Sequence, residues 1–239
     1  MKVIKNSAEI LHVLPYEEVL RIVELAARTC YQSESACDTT EVKEAFIRKI
    51  IKRQHTSVLE HAQVTFRLIT SRGVLAELTR HRIGVAYSVE STRYCSYGGK
   101  DIEFIKPSWI SDEELELVHH QWVAFKNNDY DFNIDGESEH YPAFKWYRAM
   151  EQSELAYNEL ISKGVVPQFA RGVLPQDLKT EIVMSANLRS LRHIFSLRTS
   201  IAATGKPHPD IIALMEPLLL EFKQRYPIFF EDLNLPPEN

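Results

Sequence analysis

Residues 62–82 read AQVTFRLITSRGVLAELTRHR, and within these residues the periodicity changes. Ala62, Val64, Phe66 and Leu68 alternate with Gln63, Thr65 and Arg67, the period-two pattern of a strand with one buried face. From about Gly73 to Arg82 the spacing becomes helical. Along the chain, strands are few and scattered among long helices, which favours α+β over a doubly wound sheet. Upstream, Tyr16, Val19, Leu20, Val23, Ala27 and Cys30 repeat at helical spacing. Pro15 suits the first turn, and Glu17 and Glu18 favour the N-terminal dipole. Asp38 followed by Glu41 forms a capping-box pattern for a second helix through Ile51, ending in Lys52 and Arg53.

Downstream, Ile83 to Gly99 shows no clear period and reads as a long loop. Asp101–Lys106 reads as a short strand stopped by Pro107. Ser111 with Glu114 opens a helix that places Leu115, Val118, Trp122 and Phe125 on one face. The acidic run NNDYDFNIDGESEH, 127–140, reads as an exposed excursion. A long helix follows from about Pro142 to Lys163, with Gly164 as its stop. After Pro175 the chain forms either a strand or a helix up to Ala186, then Asn187 caps a helix to about Arg198. Pro209 or Asp210 opens the last major helix, ending near Tyr226. The expected fold is therefore α+β, a central, mostly antiparallel sheet flanked by long helices, in one domain spanning 1–239.

Composition narrows the function. With 44% hydrophobic and 26% charged residues the chain has the profile of a soluble globular protein. No apolar run reaches the roughly 18 residues of a membrane span, and the first ten residues lack a signal-peptide pattern, so a cytoplasmic location is expected. The three cysteines, Cys30, Cys37 and Cys95, match neither a zinc site nor a redox pair. No metal role is expected. A net charge of −5 argues against a nucleic-acid binder held by a basic face. Yet Arg80, Arg82 and Arg93 crowd one segment and Arg189, Arg192 and Arg198 another, an arrangement suited to discrete anionic ligands.

The densest chemistry lies in RHRIGVAYSVESTRYCSY, 80–97. Arginine matches phosphate oxygens with planar, permanently charged donors. On a helix Arg80 and Arg82 would point about 200° apart, so they would serve different groups or different chains. A solvated, charged helix end accounts for the same residues equally well.

This stretch resembles the signature of the flavin-dependent thymidylate synthases: the triplet Arg80, His81, Arg82, then Ser91 followed by Arg93 and Tyr94. QHTSVLEHAQVTF resembles a second family segment, with His55, Ser57, Glu60 and His61 at matching positions. FARGVLP resembles a third and places Arg171. SANLRSLRHIFSLRTS resembles a fourth, with Asn187, Arg189, His193 and Arg198. The resemblance implies an enzyme that methylates dUMP to dTMP, with 5,10-methylenetetrahydrofolate as one-carbon donor, NADPH as reductant and FAD as cofactor. It assigns FAD to His55, Ser57, Arg80, His81, Arg82, Asn187, Arg189 and His193. It assigns dUMP to Glu77, Arg80, Ser91, Thr92, Arg93, Arg171 and Arg198, with Arg198 also stabilising charge on the reacting ring. It further implies a homotetramer with active sites shared between chains. Three departures stand out. Eight residues rather than seven separate Arg82 from Ser91, Val89 replaces a usual Gln or Glu, and Glu77 replaces a frequent Gln. Glu90, beside Val89, is expected to supply the missing polar contact or else to face solvent. The other readings are a relative that hydroxymethylates or acts on dCMP, and a silent nucleotide-binding protein of the same fold.

Overall fold

The computed structural model describes residues 1–30, 32–33, 39–127, 140–203 and 205–236. In chain order its first elements are β1 (Lys2–Ile4), β2 (Ser7–Val13), α1 (Tyr16–Thr29), α2 (Thr40–Lys52), β3 (Gln63–Ser71) and α3 (Arg72–Leu78). Next come β4 (Val85–Val89), β5 (Glu103–Ile105), α4 (Asp112–Lys126), α5 (Tyr141–Ser162) and α6 (Pro167–Ala170). The last are β6 (Lys179–Asn187), α7 (Leu188–Arg198), α8 (Pro209–Arg225) and α9 (Pro227–Phe230). Asp38, expected to cap α2, and residues 128–139 of the acidic run lie outside the described residues. The chain is α+β, with an antiparallel sheet flanked by helices, as its periodicities predict. Contacts divide it into two compact units.

One unit holds residues 6–70, 74–89 and 181–239. Its four-stranded sheet has the order β2-β3-β6-β4, and β2 with β3 and β4 with β6 pair antiparallel. The alternation in β3 buries Val64, Phe66 and Leu68, and that in β6 buries Ile182, Met184 and Ala186. These side chains share one core with the apolar faces of α1, α2, α7, α8 and α9. Phe222 sits among Phe66, Phe195 and Phe230, its ring 5.7, 6.2 and 5.3 Å from theirs. The other sheet face is polar: Thr65 and Ser185 hydroxyls meet at 2.9 Å, and Arg67 donates twice to Glu181.

Two expectations fail in this unit. The helix of 73–82 stops at Leu78: the His81 N–H donates three residues back to the Leu78 carbonyl at 3.0 Å, and the same carbonyl, which a longer helix would offer to the Arg82 N–H, also accepts from the Tyr87 hydroxyl at 2.6 Å. Arg80, His81 and Arg82 therefore lie in a turn, and the helical angle between the two arginines does not apply. The supposed loop of 83–99 contains β4, an edge strand in which Val85, Tyr87 and Val89 lean on the core while Ala86 and Ser88 face out. Small and hydroxyl residues hide its period. The edge strand β2, and β1 in the other unit, had also gone unread. Pro175 is followed by a strand, not a helix.

The other unit holds residues 1–5, 71–73 and 90–180. Here β1 and β5 pair parallel. The Ser111 hydroxyl accepts from the Glu114 N–H at 3.0 Å, so the capping pair starts α4 as read. Of the four apolar residues expected on the buried face of α4, Val118 and Trp122 are fully buried. Phe125 is half exposed, stacked on Trp122 at 5.3 Å. One cluster gathers Phe104, Met150, Tyr157 and Leu178, and another Val118, Trp122, Phe144 and Tyr147.

Gly84 turns the chain into β4 with φ +68°, and a Cβ there would stand 2.2 Å from Asn187 Nδ2 and 2.5 Å from Ser190 Oγ. Gly164 also has a positive φ, +83°, but nothing lies within 4 Å of the site of its missing Cβ. Gly84→Ala should therefore lower stability by about 2–4 kcal/mol, joining left-handed strain to the loss of the Asn187 cap. Gly164→Ala should cost only about 1–2 kcal/mol. Urea unfolding of the two variants checks the difference, and equal costs would show that the Gly84 contact does not matter.

Candidate functional site

In the unit of the four-stranded sheet, residues 80–83 and the α7 side chains from Arg189 to Ser196 line an open cavity of about 820 Å³. Asn187 makes this possible: its Oδ1 accepts from the Ser190 N–H at 2.8 Å and starts α7 as the sequence predicts. The Ser190 hydroxyl in turn donates to the Ile83 carbonyl at 2.7 Å, and the Asn187 N–H to the Gly84 carbonyl at 3.1 Å. Turn and helix are thus fastened side by side, and Arg80, His81, Arg82, Arg189 and His193 all reach the cavity. Five of the eight residues expected to hold FAD are brought together.

The remaining three are placed differently. Asn187 is buried as a cap beneath the wall. Residues 54–57 alternate: Gln54 and Thr56 line the large cavity, whereas His55 and Ser57 line a smaller one of about 310 Å³ with Cys30 and Ile50. Gln54, Thr56 and Ser196 were not singled out from sequence, and Arg192 was read only as a member of the second arginine cluster. Thr56 and Gln54 had a signal in their alternation with His55 and Ser57, while Ser196 had none.

The lining is cationic. Glu60 is bound to Arg189 at 2.5 Å, and Arg192 is gripped by Asp232 through two bonds of 2.7 Å. Among the described residues no carboxylate pairs with Arg80 or Arg82. An extended ligand carrying a diphosphate fits this donor set, because the two free guanidiniums supply uncompensated charge and planar donors. The glycine turn beside them lets the chain approach the start of α7 closely.

Behind the triplet, Arg198 at the end of α7 is enclosed on one side. Its Nη1 donates to Glu77 Oε2 at 2.8 Å, its Nη2 to the Glu77 carbonyl at 3.2 Å, and its Nε to His81 Nε2 at 3.1 Å. An acceptor at Nε2 requires an unprotonated imidazole nitrogen. Burial, with the charges of Arg198, His193 and Arg80, pushes His81 down from 6.5 to about 4. The His193 ring stands edge-on to it at 5.8 Å.

The other unit carries the rest of the expected dUMP set. Thr92 is buried and its hydroxyl accepts from Arg171 Nη1 at 3.0 Å, so two motifs far apart in sequence meet. Ser91 Oγ accepts from the Arg93 N–H at 3.3 Å, and Arg93 lies over the exposed Tyr94 ring. Glu90 does not face solvent. It accepts from the Tyr97 hydroxyl at 2.9 Å and from Lys179 Nζ at 3.1 Å. Tyr97 and Lys179 had no sequence signal, being 7 and 89 residues from Glu90. Burial and the Glu90 charge push the Tyr97 hydroxyl far above its usual value.

The family profile described as "Thymidylate synthase complementing protein" matches residues 12–228. The chain is 33% identical over 220 residues to the flavin-dependent thymidylate synthase of Geobacter sulfurreducens, covering 88% of this chain and 80% of the relative. Against that of Haloarcula marismortui it is 32% identical over 164 residues, 68% of this chain and 65% of the relative. Among solved structures, a UMP/dUMP methylase PolB from Streptomyces cacaoi bound with 5-Br dUMP superposes with a TM-score of 0.75 at 24% identity. That match covers 97% of this chain and 96% of the other, and it speaks for the fold alone.

Because His81 titrates near 4 in the folded chain and at its ordinary 6.5 when unfolded, the unfolded state takes up the proton first as pH falls. Stability from this group is complete above 6.5 and drains away down to about 4. His81→Gln should flatten the stability profile over that window, and Arg198→Ala should raise the His81 midpoint seen by NMR. A wild-type midpoint near 6.5 would refute the neutral histidine.

Proposed function

Since the chain belongs to the flavin-dependent thymidylate synthase family, we propose that it is an FAD-dependent enzyme that reductively methylates dUMP to dTMP. The observation that carries this reading is the gathering of Arg80, His81, Arg82, Arg189 and His193 around one cationic cavity, with Arg198 held behind them. Arg80 and Arg82 would hold the diphosphate of FAD, and Arg189, paired with Glu60, and His193 would flank it, with Asn187 fixing the wall. His55 and Ser57 are assigned to the same cofactor by family resemblance. When bound, FAD supplies hydride chemistry, with NADPH as reductant and 5,10-methylenetetrahydrofolate as the one-carbon donor.

The chain's own part is to make C5 of uracil nucleophilic. Arg198 keeps two of its five N–H groups beyond the three already bonded. Turned to O4, and to N3 once its proton has passed to solvent, they would stabilise the negative charge that the ring then shares between N3, O4 and C5. No activated thiol takes part in this reading: Cys30 and Cys95 are free and exposed. Ser91, Thr92, Arg93 and Arg171 would bind the dUMP phosphate, a group their hydroxyl and guanidinium donors suit. Glu77 acts through its grip on Arg198, and Glu90 through its grip on the start of the Ser91–Arg93 loop. We also assign the protein to the cytoplasm, where its free thiols would stay reduced, as a homotetramer with shared active sites, as in its family.

Purified protein should be yellow with bound flavin. Incubated with FAD, NADPH, methylenetetrahydrofolate and dUMP, it should form dTMP. Conversion of dCMP in place of dUMP would move the assignment to another pyrimidine nucleotide, and colourless protein that cannot be loaded with FAD would end it. Arg198→Lys should keep most of its flavin yet lose turnover by about 2–4 kcal/mol of barrier, because lysine has no planar pair of donors. Near-normal turnover in that variant would remove Arg198 from the chemistry.

A further inference from the structure

The contacts of Arg198 assign a part to His81 that differs from cofactor binding. A guanidinium fixed by one carboxylate still swings about that contact, since its stem rotates freely. Here Glu77 takes Nη1 and Nη2 through its side chain and its carbonyl, and His81 takes Nε. Three bonds from two residues define the guanidinium plane. The backbone that carries His81 is held by its own N–H, which donates to the Leu78 carbonyl at 3.0 Å.

We propose that His81 is a positioning residue for Arg198: its unprotonated Nε2 holds the guanidinium so that the remaining N–H groups are presented to a pyrimidine, and protonation of His81 releases this hold. The inference rests on the reading of Arg198 as the group that meets the base.

Protonated, the imidazole has a donor at each nitrogen and would set N–H against N–H. The charged groups that face it are Arg198 and His193 from α7 and Arg80 beside it in the chain, all of which oppose a further positive charge. Glu77 is bonded to Arg198, and no carboxylate among the described residues pairs with the His81 ring. The protonated ring therefore has no partner to compensate the lost bond, and the clamp opens as acid is added.

The test uses flavin-loaded wild type, His81→Gln and His81→Leu. Glutamine places an amide oxygen near the position of Nε2 and does not titrate, whereas leucine removes the acceptor. Bound flavin is measured in each, so that an effect on the cofactor is separated from one on Arg198. The Arg198 Nε–H resonance, assigned by its absence from Arg198→Lys, should be shifted and protected from exchange in wild type and His81→Gln. It should revert towards a free guanidinium in His81→Leu. For dUMP turnover, wild type should show an acid limb in kcat/KM set by one protonation. His81→Gln should restore turnover towards wild type and lack that limb, while His81→Leu should lose about tenfold to a hundredfold at every pH. An Nε–H resonance unaffected by His81→Leu, or a Gln variant that keeps the acid limb or behaves as Leu does, would overturn the proposal. If wild type neither binds nor converts dUMP, the functional reading fails by itself, and the resonance still decides whether His81 holds Arg198.

Discussion

The close approach of Gly84 to the start of α7 is the constraint on which the site is built. The Asn187 N–H reaches the Gly84 carbonyl, the Ser190 hydroxyl reaches the Ile83 carbonyl, and no Cβ fits between. Through these contacts a turn rich in arginine and a helix rich in arginine face the same cavity. The cap is worth on the order of 1 kcal/mol by itself, yet it fixes the direction in which Arg189, His193 and Arg198 leave the helix. The Leu188 N–H, bonded to the Ala62 carbonyl at 3.0 Å, ties the same point to the start of β3.

Electrostatics then divides the arginines by task. Arg189, Arg192 and Arg198 each have a carboxylate partner before any ligand arrives. Arg80 and Arg82 have none among the described residues, so their charge is left for an anion. A protonated histidine among these cations would add to the repulsion, which is why His81 is held neutral and used as an acceptor. The second unit follows the same division: Arg171 is placed by Thr92, and Lys179 is spent on Glu90.

The elements with a strong period were legible. β3, α1, α5 and α8 each bury one face of a repeating pattern, and Ser111 and Asn187 cap helices where their positions predict. The weak elements were not. β4 is five residues long and built of Val, Ala, Tyr and Ser, so its alternation carries little contrast. The end of α3 was misplaced because the Leu78 carbonyl is taken by the His81 N–H three residues on and by the Tyr87 hydroxyl nine residues on, contacts that propensity does not register. At the site, the arginines were visible as clusters, but the separation of His55 and Ser57 from the large cavity was not.

By itself the sequence determined the α+β class, the main helices and the family, because periodicity, caps and spaced motifs are local or ordered along the chain. It also determined which side chains are able to hold an anion, since a guanidinium is charged wherever it lies. Only the tertiary structure decided which of them are free to do so. The carboxylates that occupy Arg189, Arg192 and Arg198 come from 129, 40 and 121 residues away. Such pairings depend on how strands and helices pack, and so does the state of His81, whose neutrality comes from burial and from neighbours that only folding assembles.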